Sequence, residues 1–285
     1  MNPVAPLSVA RLLAIANPLG GPVWLFAETT STQDEARSMA AAGTAPGTAV
    51  VANRQSAGRG RLPGRKWLAE PGEALLCTLI LDPAWVLLPA LPLRIGLALA
   101  EACEAAVMEE GGRIGISVKW PNDLMFQGEA GSIDRKLGGI LCETGSGLLL
   151  AGFGINLATP VLPAGTAAAA GLEEALPEAQ PGPGGRKGLR ERLLAACLAG
   201  LARLPGREDW HLALTKRLWM RGRECAFEEG RPGSGARFVA TIIGIGPEGQ
   251  LLTEAADGKV KELLAGEISI AKPGTGALTP YPSIN

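Results

Sequence analysis

The sequence holds a single histidine, His211, and no C-x-x-C pair. A protein-built zinc centre draws three or four ligands from imidazole, thiolate and carboxylate groups, so no metal site is expected, and His211 is read as structural. The five cysteines, Cys77, Cys103, Cys142, Cys197 and Cys225, are odd in number and widely spaced, mostly within apolar runs. That pattern fits buried free thiols in a reducing compartment rather than a disulfide framework. No cationic segment followed by an apolar core opens the chain, so a secretory signal is not expected. Long hydrophobic runs are lacking too. The most apolar region, residues 84–100, is interrupted by Pro89, Pro92 and Arg94 and falls short of the roughly 20 clean residues of a spanning helix. The expectation is a cytoplasmic protein without a membrane partner. An excess of charge is also missing: 27 Lys and Arg against 28 Asp and Glu leave a net −1. Sequence-independent nucleic-acid binding rests on many phosphate contacts, so no nucleic-acid partner is expected. No G-x-x-x-x-G-K-[ST] string occurs, which removes the P-loop NTPases, and Gly152-Phe153-Gly154 lacks the third glycine and following helix of a dinucleotide fingerprint.

One absence is local. From Ala36 to Ala69 there is no acidic residue, and within that span lies Gln55-Ser56-Ala57-Gly58-Arg59-Gly60-Arg61-Leu62-Pro63-Gly64-Arg65-Lys66-Trp67. Glycines let backbone N–H groups converge on an anion without a Cβ in the way, and arginine forks grip the same oxygens bidentately. A flexible, solvated loop would read the same way, so phosphate contact and plain surface stand about level on this stretch alone.

At 285 residues the chain is expected to form one large domain and a small one. Residues 1–22 offer one short helical candidate, residues 8–16, too little for a helix-turn-helix reader of DNA. Residues 23–27 read as a strand leading to Thr29-Thr30-Ser31-Thr32-Gln33-Asp34-Glu35. Thr32 and Glu35 have capping-box spacing, residues 36–42 propagate a helix and Gly43 suits its end, which puts Ser31, Thr32 and Gln33 at a helix N-terminus. Residues 48–54 and 73–81 read as strands flanking the cationic loop, the second apolar on both faces. A helix over residues 91–110 stops at Gly111-Gly112. Residues 116–126 predict a strand broken by Pro121-Asn122-Asp123, and Lys136 opens an apolar strand with glycines at 138 and 139. Gly145-Ser146-Gly147 turns into a further strand, 148–157. Residues 160–187, rich in Pro, Ala and Gly, predict a connection; residues 189–204 and 208–220 predict two helices. From residue 223 short strands with turn signals fit a small β-barrel.

Taken in order, the motifs resemble those of the biotin protein ligases. Ser31-Thr32-Gln33 is similar to their S-T-N/Q helix start, and GRGRLPGRKW (58–67) to their GRGR-x-GR-x-W loop. KWPNDL (119–124) matches outright, KLGGIL (136–141) matches their K-L-x-G-I-L strand, GFGINL (152–157) resembles G-I-G-I-N-V, and GEISI (266–270) resembles the last strand of their C-terminal domain. The resemblance covers residues 23–270. It implies an α+β fold: a catalytic domain of the class II aminoacyl-tRNA synthetase and biotin synthetase type, followed by a small SH3-like β-barrel. The expected divisions are an N-terminal tail over 1–22, the catalytic domain over 23–222 and the barrel domain over 223–285.

The resemblance further implies ATP-dependent formation of biotinyl-AMP from biotin and ATP, then transfer of biotin to a lysine of a biotin carboxyl carrier protein. Mg²⁺ would ride on the ATP phosphates. Arg59, Arg61 and Lys136 are the expected catalytic cations. Ser31, Thr32, Gln33, Gln55, Gly58, Gly60, Gly138 and Gly139 join them in binding biotin, and Arg65, Trp67, Asn122, Asp123 and Asn156 fall on the adenylate side. Leu62-Pro63 is one residue longer than the family loop, so Arg65 and Trp67 are the least firmly placed; separately, residues 127–135 look longer than the usual connection. The winged helix of repressor-type members is not seen before residue 23, so operator binding is not expected; a homodimer is left open. A lipoate or octanoate ligase or transferase of the same fold is the nearest rival. A non-catalytic nucleic-acid binder using the arginine–glycine loop is the rival of another class.

Overall fold

A computed structural model describes residues 15–62, 64–128, 134–145, 147–162, 168–177, 188–229, 236–264 and 266–269. The 8–16 helical candidate, most of the 160–187 connection, Ser146 and Ile270 therefore lie wholly or partly outside the described residues.

Seven strands form the larger sheet: β1 (Val23–Phe26), β2 (Ala49–Ala52), β3 (Ala74–Leu81), β4 (Ile116–Lys119), β5 (Asp123–Phe126), β6 (Arg135–Gly145) and β7 (Leu148–Asn156). Their order is β1-β2-β3-β7-β6-β5-β4. Only β1 and β2 run parallel; every other neighbouring pair is antiparallel. Hairpins account for β4-β5 and β6-β7, as the Pro121-Asn122-Asp123 break and the glycine turn lead one to expect.

Two layers cover this sheet unequally. Helix α1 (Thr32–Ala41) lies on one face, where Ala36 and Ala40 meet Val50, Ile80 and Leu150 in a small apolar cluster. Helix α2 (Leu91–Glu109) lies on the other, its Leu93, Leu97 and Ala100 packing into the main core with Val51, Leu75, Cys77 and Leu79. Pro92 falls in the first turn of α2, where a missing N–H costs no helix bond. Helix α3 (Leu189–Ala202) packs beside α2 and joins the same core, close enough that Gly200 sits 3.5 Å, measured from an ideal Cβ, from Ala98. At the start of α3, Arg190 is buried and donates Nη1 to Asn53 Oδ1 at 3.1 Å, and burial pulls its guanidinium down to about 10. That contact ties α3 to the end of β2, two residues before the cationic loop begins.

Three expectations are corrected here. The N-cap of α1 is Ser31, whose Oγ accepts from Gln33 N, rather than Thr32. Thr32 is drawn into the first turn because Gln55 Oε1 takes both its N–H (2.7 Å) and its hydroxyl (3.0 Å), and the Glu35 carboxylate accepts from Thr29 Oγ1 instead of closing a capping box. The predicted 208–220 helix is short: α4 spans Trp210–Lys216. The chain beyond it leaves helical geometry to pair with the edge of β4, Val118 N donating to Arg217 O and Trp219 N to Val118 O. The 189–204 helix likewise ends at Ala202 and passes into a 3₁₀ turn, Leu204–Gly206.

Five further strands, β8 (Glu224–Glu229), β9 (Arg237–Ile245), β10 (Leu251–Glu254), β11 (Val260–Leu263) and β12 (Gly266–Ser269), make an antiparallel sheet of order β11-β10-β9-β8-β12. The β9-β10 turn docks on the larger sheet: Trp120 Nε1 donates to Gly249 O at 3.1 Å. No helix among the described residues is long and apolar enough to cross a membrane.

Candidate active site

The site is set by which face each residue of a strand occupies. Because side chains alternate, β3 turns Leu75, Cys77 and Leu79 into the main core while Leu76, Thr78 and Ile80 face the other way. The register carries this second face across the sheet. Thr78 lies opposite Gly152, and Gly152 opposite Leu141; Leu76 lies opposite Gly154, Gly154 opposite Gly139, and Gly139 opposite Asp123. Two rows rich in glycine thus floor a half-open cleft that encloses about 530 Å³, its open mouth included.

The glycines make room for side chains from elsewhere. A Cβ on Gly152 would stand 2.4 Å from Gln33 Oε1, and one on Gly154 would stand 2.6 Å from the Trp67 indole. Gln33 is held over Gly152 by Thr78, whose hydroxyl lies 3.1 Å from Gln33 Oε1 and 2.9 Å from Thr32 Oγ1. Trp67 lies across Gly154, and its Nε1 is buried without a hydrogen-bond partner among the described residues. A buried donor in that condition is rare enough to mark a place where a ligand acceptor fits.

The cationic loop is a narrow hairpin. Arg59 bridges to Lys66, Gly60 N donates to Arg65 O (2.8 Å) and Trp67 N donates to Gly58 O (2.9 Å). The two backbones are so close at Gly58 that a Cβ there would meet Trp67 O at 2.7 Å. The hairpin's root is pinned to the start of α1 by Ser56 N to Thr29 O (2.9 Å) and Ala57 N to Thr30 O (2.8 Å).

Lys136 reaches the cleft through a bulge. The β5-β6 pairing slips between Leu124 and Met125, so that Leu124 faces Gly138 while Met125 faces Lys136. The extra residue, Leu137, drops into the main core and the phase of the strand is reversed at Lys136. Its Nζ then sits 2.8 Å from Asp123 Oδ1 and 6.0 Å from the centre of the Trp67 ring, and an ideal Cβ on Gly139 would be 3.4 Å from it.

Of the residues singled out in the sequence, Ser31, Thr32, Gln33, Gln55, Arg59, Gly60, Arg61, Trp67, Asn122, Asp123, Lys136 and Gly139 line this one cleft. Arg59 and Lys136, distant in sequence, share it. Gly58, Arg65, Gly138 and Asn156 are not among its lining. Gly58 and Gly138 are backbone supports, Gly138 allowing Gly154 O to within 2.7 Å of where its Cβ would be. Asn156 is buried with Nδ2 donated to Ala170 O at 3.1 Å. Asn122 both lines the cleft and clamps the sheet, donating Nδ2 to Ile140 O at 2.8 Å. Sequence reasoning did not name Thr78, Leu76, Ile140, Leu141, Gly152, Phe153 and Gly154 as site residues, though the last five stand inside the KLGGIL and GFGINL strings. Thr78 had a signal of its own, as the one polar residue in the fully buried strand ALLCTLIL.

Neighbouring nucleophiles are silent. Cys142 follows the cleft residue Leu141, but burial pushes its thiol up to about 12, so no thiolate is available near neutrality. No group of His, Cys, Asp and Glu among the described residues is arranged to hold a metal ion. The arrangement offers cations, hydrogen-bond donors and a closed-off floor, which suits binding and stabilising an anionic reaction centre rather than proton abstraction.

Comparison with known proteins gives this geometry its context. Residues 25–158 match the family model described as the Biotin/lipoate A/B protein ligase family. These residues form a biotin/lipoate ligase domain. Among curated relatives of this domain, the biotin–[acetyl-CoA-carboxylase] ligase of Mycobacterium tuberculosis is 31% identical over 137 residues, covering 47% of this chain and 48% of that protein. The bifunctional ligase/repressor BirA of Escherichia coli is 40% identical over 119 residues, 39% of this chain and 33% of that one. The chain therefore spans between about a third and a half of the curated relatives it matches. Among solved structures, the chain is similar to the Aquifex aeolicus biotin protein ligase in complex with biotin and ATP, at 29% identity and a TM-score of 0.68, covering 87% of this chain and 97% of that one. The Leishmania major biotin protein ligase in complex with biotinyl-5-AMP is similar at 25% identity and a TM-score of 0.56, with 85% and 98% covered.

Proposed function

We propose that this chain activates biotin with ATP, forming biotinyl-AMP and pyrophosphate, and then passes the biotinyl group to a lysine of a carboxylase's carrier domain. The observation that carries the reading is the convergence of Arg59, Arg61 and Lys136 on one glycine-floored cleft, in a chain whose fold is that of ligases holding biotin and ATP.

The chemistry asks for what these residues offer. Biotin's carboxylate is ionised at neutral pH, so it attacks the α-phosphorus without a general base, and pyrophosphate leaves in line. The demands are alignment and neutralisation of converging negative charge. Arg59, Arg61 and Lys136 meet the carboxylate and α-phosphate. Ser31, Thr32, Gln33 and Gln55 supply donors and acceptors toward biotin, with Gly58, Gly60, Gly138 and Gly139 keeping the backbone close. Trp67, whose Nε1 has no partner among the described residues, shields the mixed anhydride from water on the adenylate side, beside Asn122 and Asp123. In the second step the carrier lysine, as free amine, attacks the acyl carbon; AMP leaves and the amine's proton is released. Mg²⁺ arrives on ATP.

Residues 23–222 serve as the catalytic domain and 223–285 as a C-terminal domain of SH3-like type. Five unpaired cysteines are in keeping with work in the cytoplasm, with no part for nucleic acid. The test is incubation with ATP, a carboxylase carrier domain and either biotin or octanoate, read by intact mass of the carrier. Gain of one biotinyl group and no octanoyl group is expected; an octanoyl gain, or none with either acid, overturns the proposal.

A further inference from the structure

Outside the cleft lining, two acids stand at the mouth. Asp34, in the first turn of α1, places Oδ1 2.6 Å from Arg59 Nη2, and Glu143, on β6, places Oε2 4.0 Å from the same nitrogen. Arg37, one helical turn after Asp34, bonds both acids: its Nη1 is 2.7 Å from Asp34 Oδ1, and its Nη2 contacts Glu143 Oε2. Alternating charges therefore close a ring of four side chains that joins α1, β6 and the hairpin. None of Asp34, Arg37 and Glu143 lines the cleft; Arg59 does.

The hydrogen bonding of Arg59 is uneven. Asp34 engages Nη2 alone, and Nε and Nη1 have no partner among the described residues. A guanidinium with one corner fixed from outside and two donors unspent is set to receive an anion from within. Without the acid, a long side chain at the edge of a hairpin, two-fifths exposed, would sample many rotamers and lose that freedom only on binding.

We infer that Asp34 is a positioning residue for Arg59: it holds the guanidinium over the cleft from outside, while Arg37 and Glu143 hold Asp34. The carboxylate touches no substrate. It works by removing conformational entropy that the anionic substrate would otherwise have to remove. The kinetic arm of the test rests on the ligase reading; the proteolytic arm does not.

Asp34→Asn keeps size and removes charge. Exposed pairs of this kind shift equilibria by about two- to fivefold, so KM in biotin-dependent ATP–pyrophosphate exchange is expected to rise by about that factor, with the thermal midpoint near the parent's. In an Arg59→Ala background the same substitution is expected to change KM no further, because the group it positions is gone. Independently, trypsin acting on ligand-free protein is expected to cut after Arg59 about two- to fivefold faster in Asp34→Asn, read by peptide mass. A KM below the parent's overturns the inference, since Asp34 would then be competing with substrate for Arg59. So does an unchanged KM with fewer active molecules, the mark of a merely structural helix residue. If the parent shows no exchange at all, the ligase reading fails, and the cleavage rate after Arg59 still decides whether Asp34 holds it.

Discussion

On one face of the seven-stranded sheet stand Ala49, Val51, Leu75, Cys77, Leu79, Ala151, Phe153 and Ile155; on the other, one residue along the same strands, stand Val50, Leu76, Thr78, Gly152 and Gly154. The first set is buried in the main core, among the side chains of α2 and α3. The second begins as a small apolar cluster under α1 and then thins to glycine, where Gln33, Trp67 and Lys136 move in from other elements. A period of two separates them, so strands that read as uniformly apolar carry two messages: fill on one face, vacate on the other. Stability is concentrated in the filled face and chemistry in the vacated one. The cost of the vacancy is moderate because the glycines lie in β6 and β7, in the middle of the sheet, where neighbours on both sides hold the backbone extended.

The comparison can be broken by substitutions that treat the two faces alike. Leu79→Ala, on the filled face, opens a cavity in a fully buried site and is expected to lower stability by about 3 kcal/mol. Whatever protein remains folded should keep its parental KM for biotin. Denaturant unfolding together with exchange kinetics checks both halves, and a raised KM would mean that the two faces are not independent. Gly154→Ala should do the reverse. Its methyl would meet the Trp67 ring at 2.6 Å and displace the indole, so a loss of kcat/KM of up to about a hundredfold is expected, the scale of a site group misplaced by about an ångström. Unfolding should shift by less than about 1 kcal/mol, since a lone methyl displaces one movable side chain and not the core. Retained activity with lost stability would show Gly154 to be a packing glycine.

Much of this was legible in the sequence. The strands flanking the cationic loop, the Pro121-Asn122-Asp123 hairpin and the long α2 come from local pattern, because capping, proline and apolar runs act over a few residues. Within KLGGIL, Lys136 and Gly139 were named from the sequence and line the cleft, whereas Ile140 and Leu141 line it unnamed. What could not be read depends on register and on tertiary competition. Four hydroxyl residues in a row, Thr29 to Thr32, each offer a cap, and only the reach of Gln55 to Thr32 decides for Ser31. The shortened α4 reflects β4's unpaired edge recruiting residues 217–219. The bulge that aims Lys136, the pairing of Thr78 with Gln33 and the acid ring around Arg59 all join residues far apart in sequence, where no spacing rule applies.

The account rests on two cations, from a hairpin and from a bulged strand, acting on one developing charge. Its most direct measurement is biotin-dependent exchange of labelled pyrophosphate into ATP by Arg59→Ala and Lys136→Ala. Each is expected to slow exchange by on the order of a hundredfold, as removal of one transition-state charge donor does. Exchange at the parental rate in both variants would contradict it.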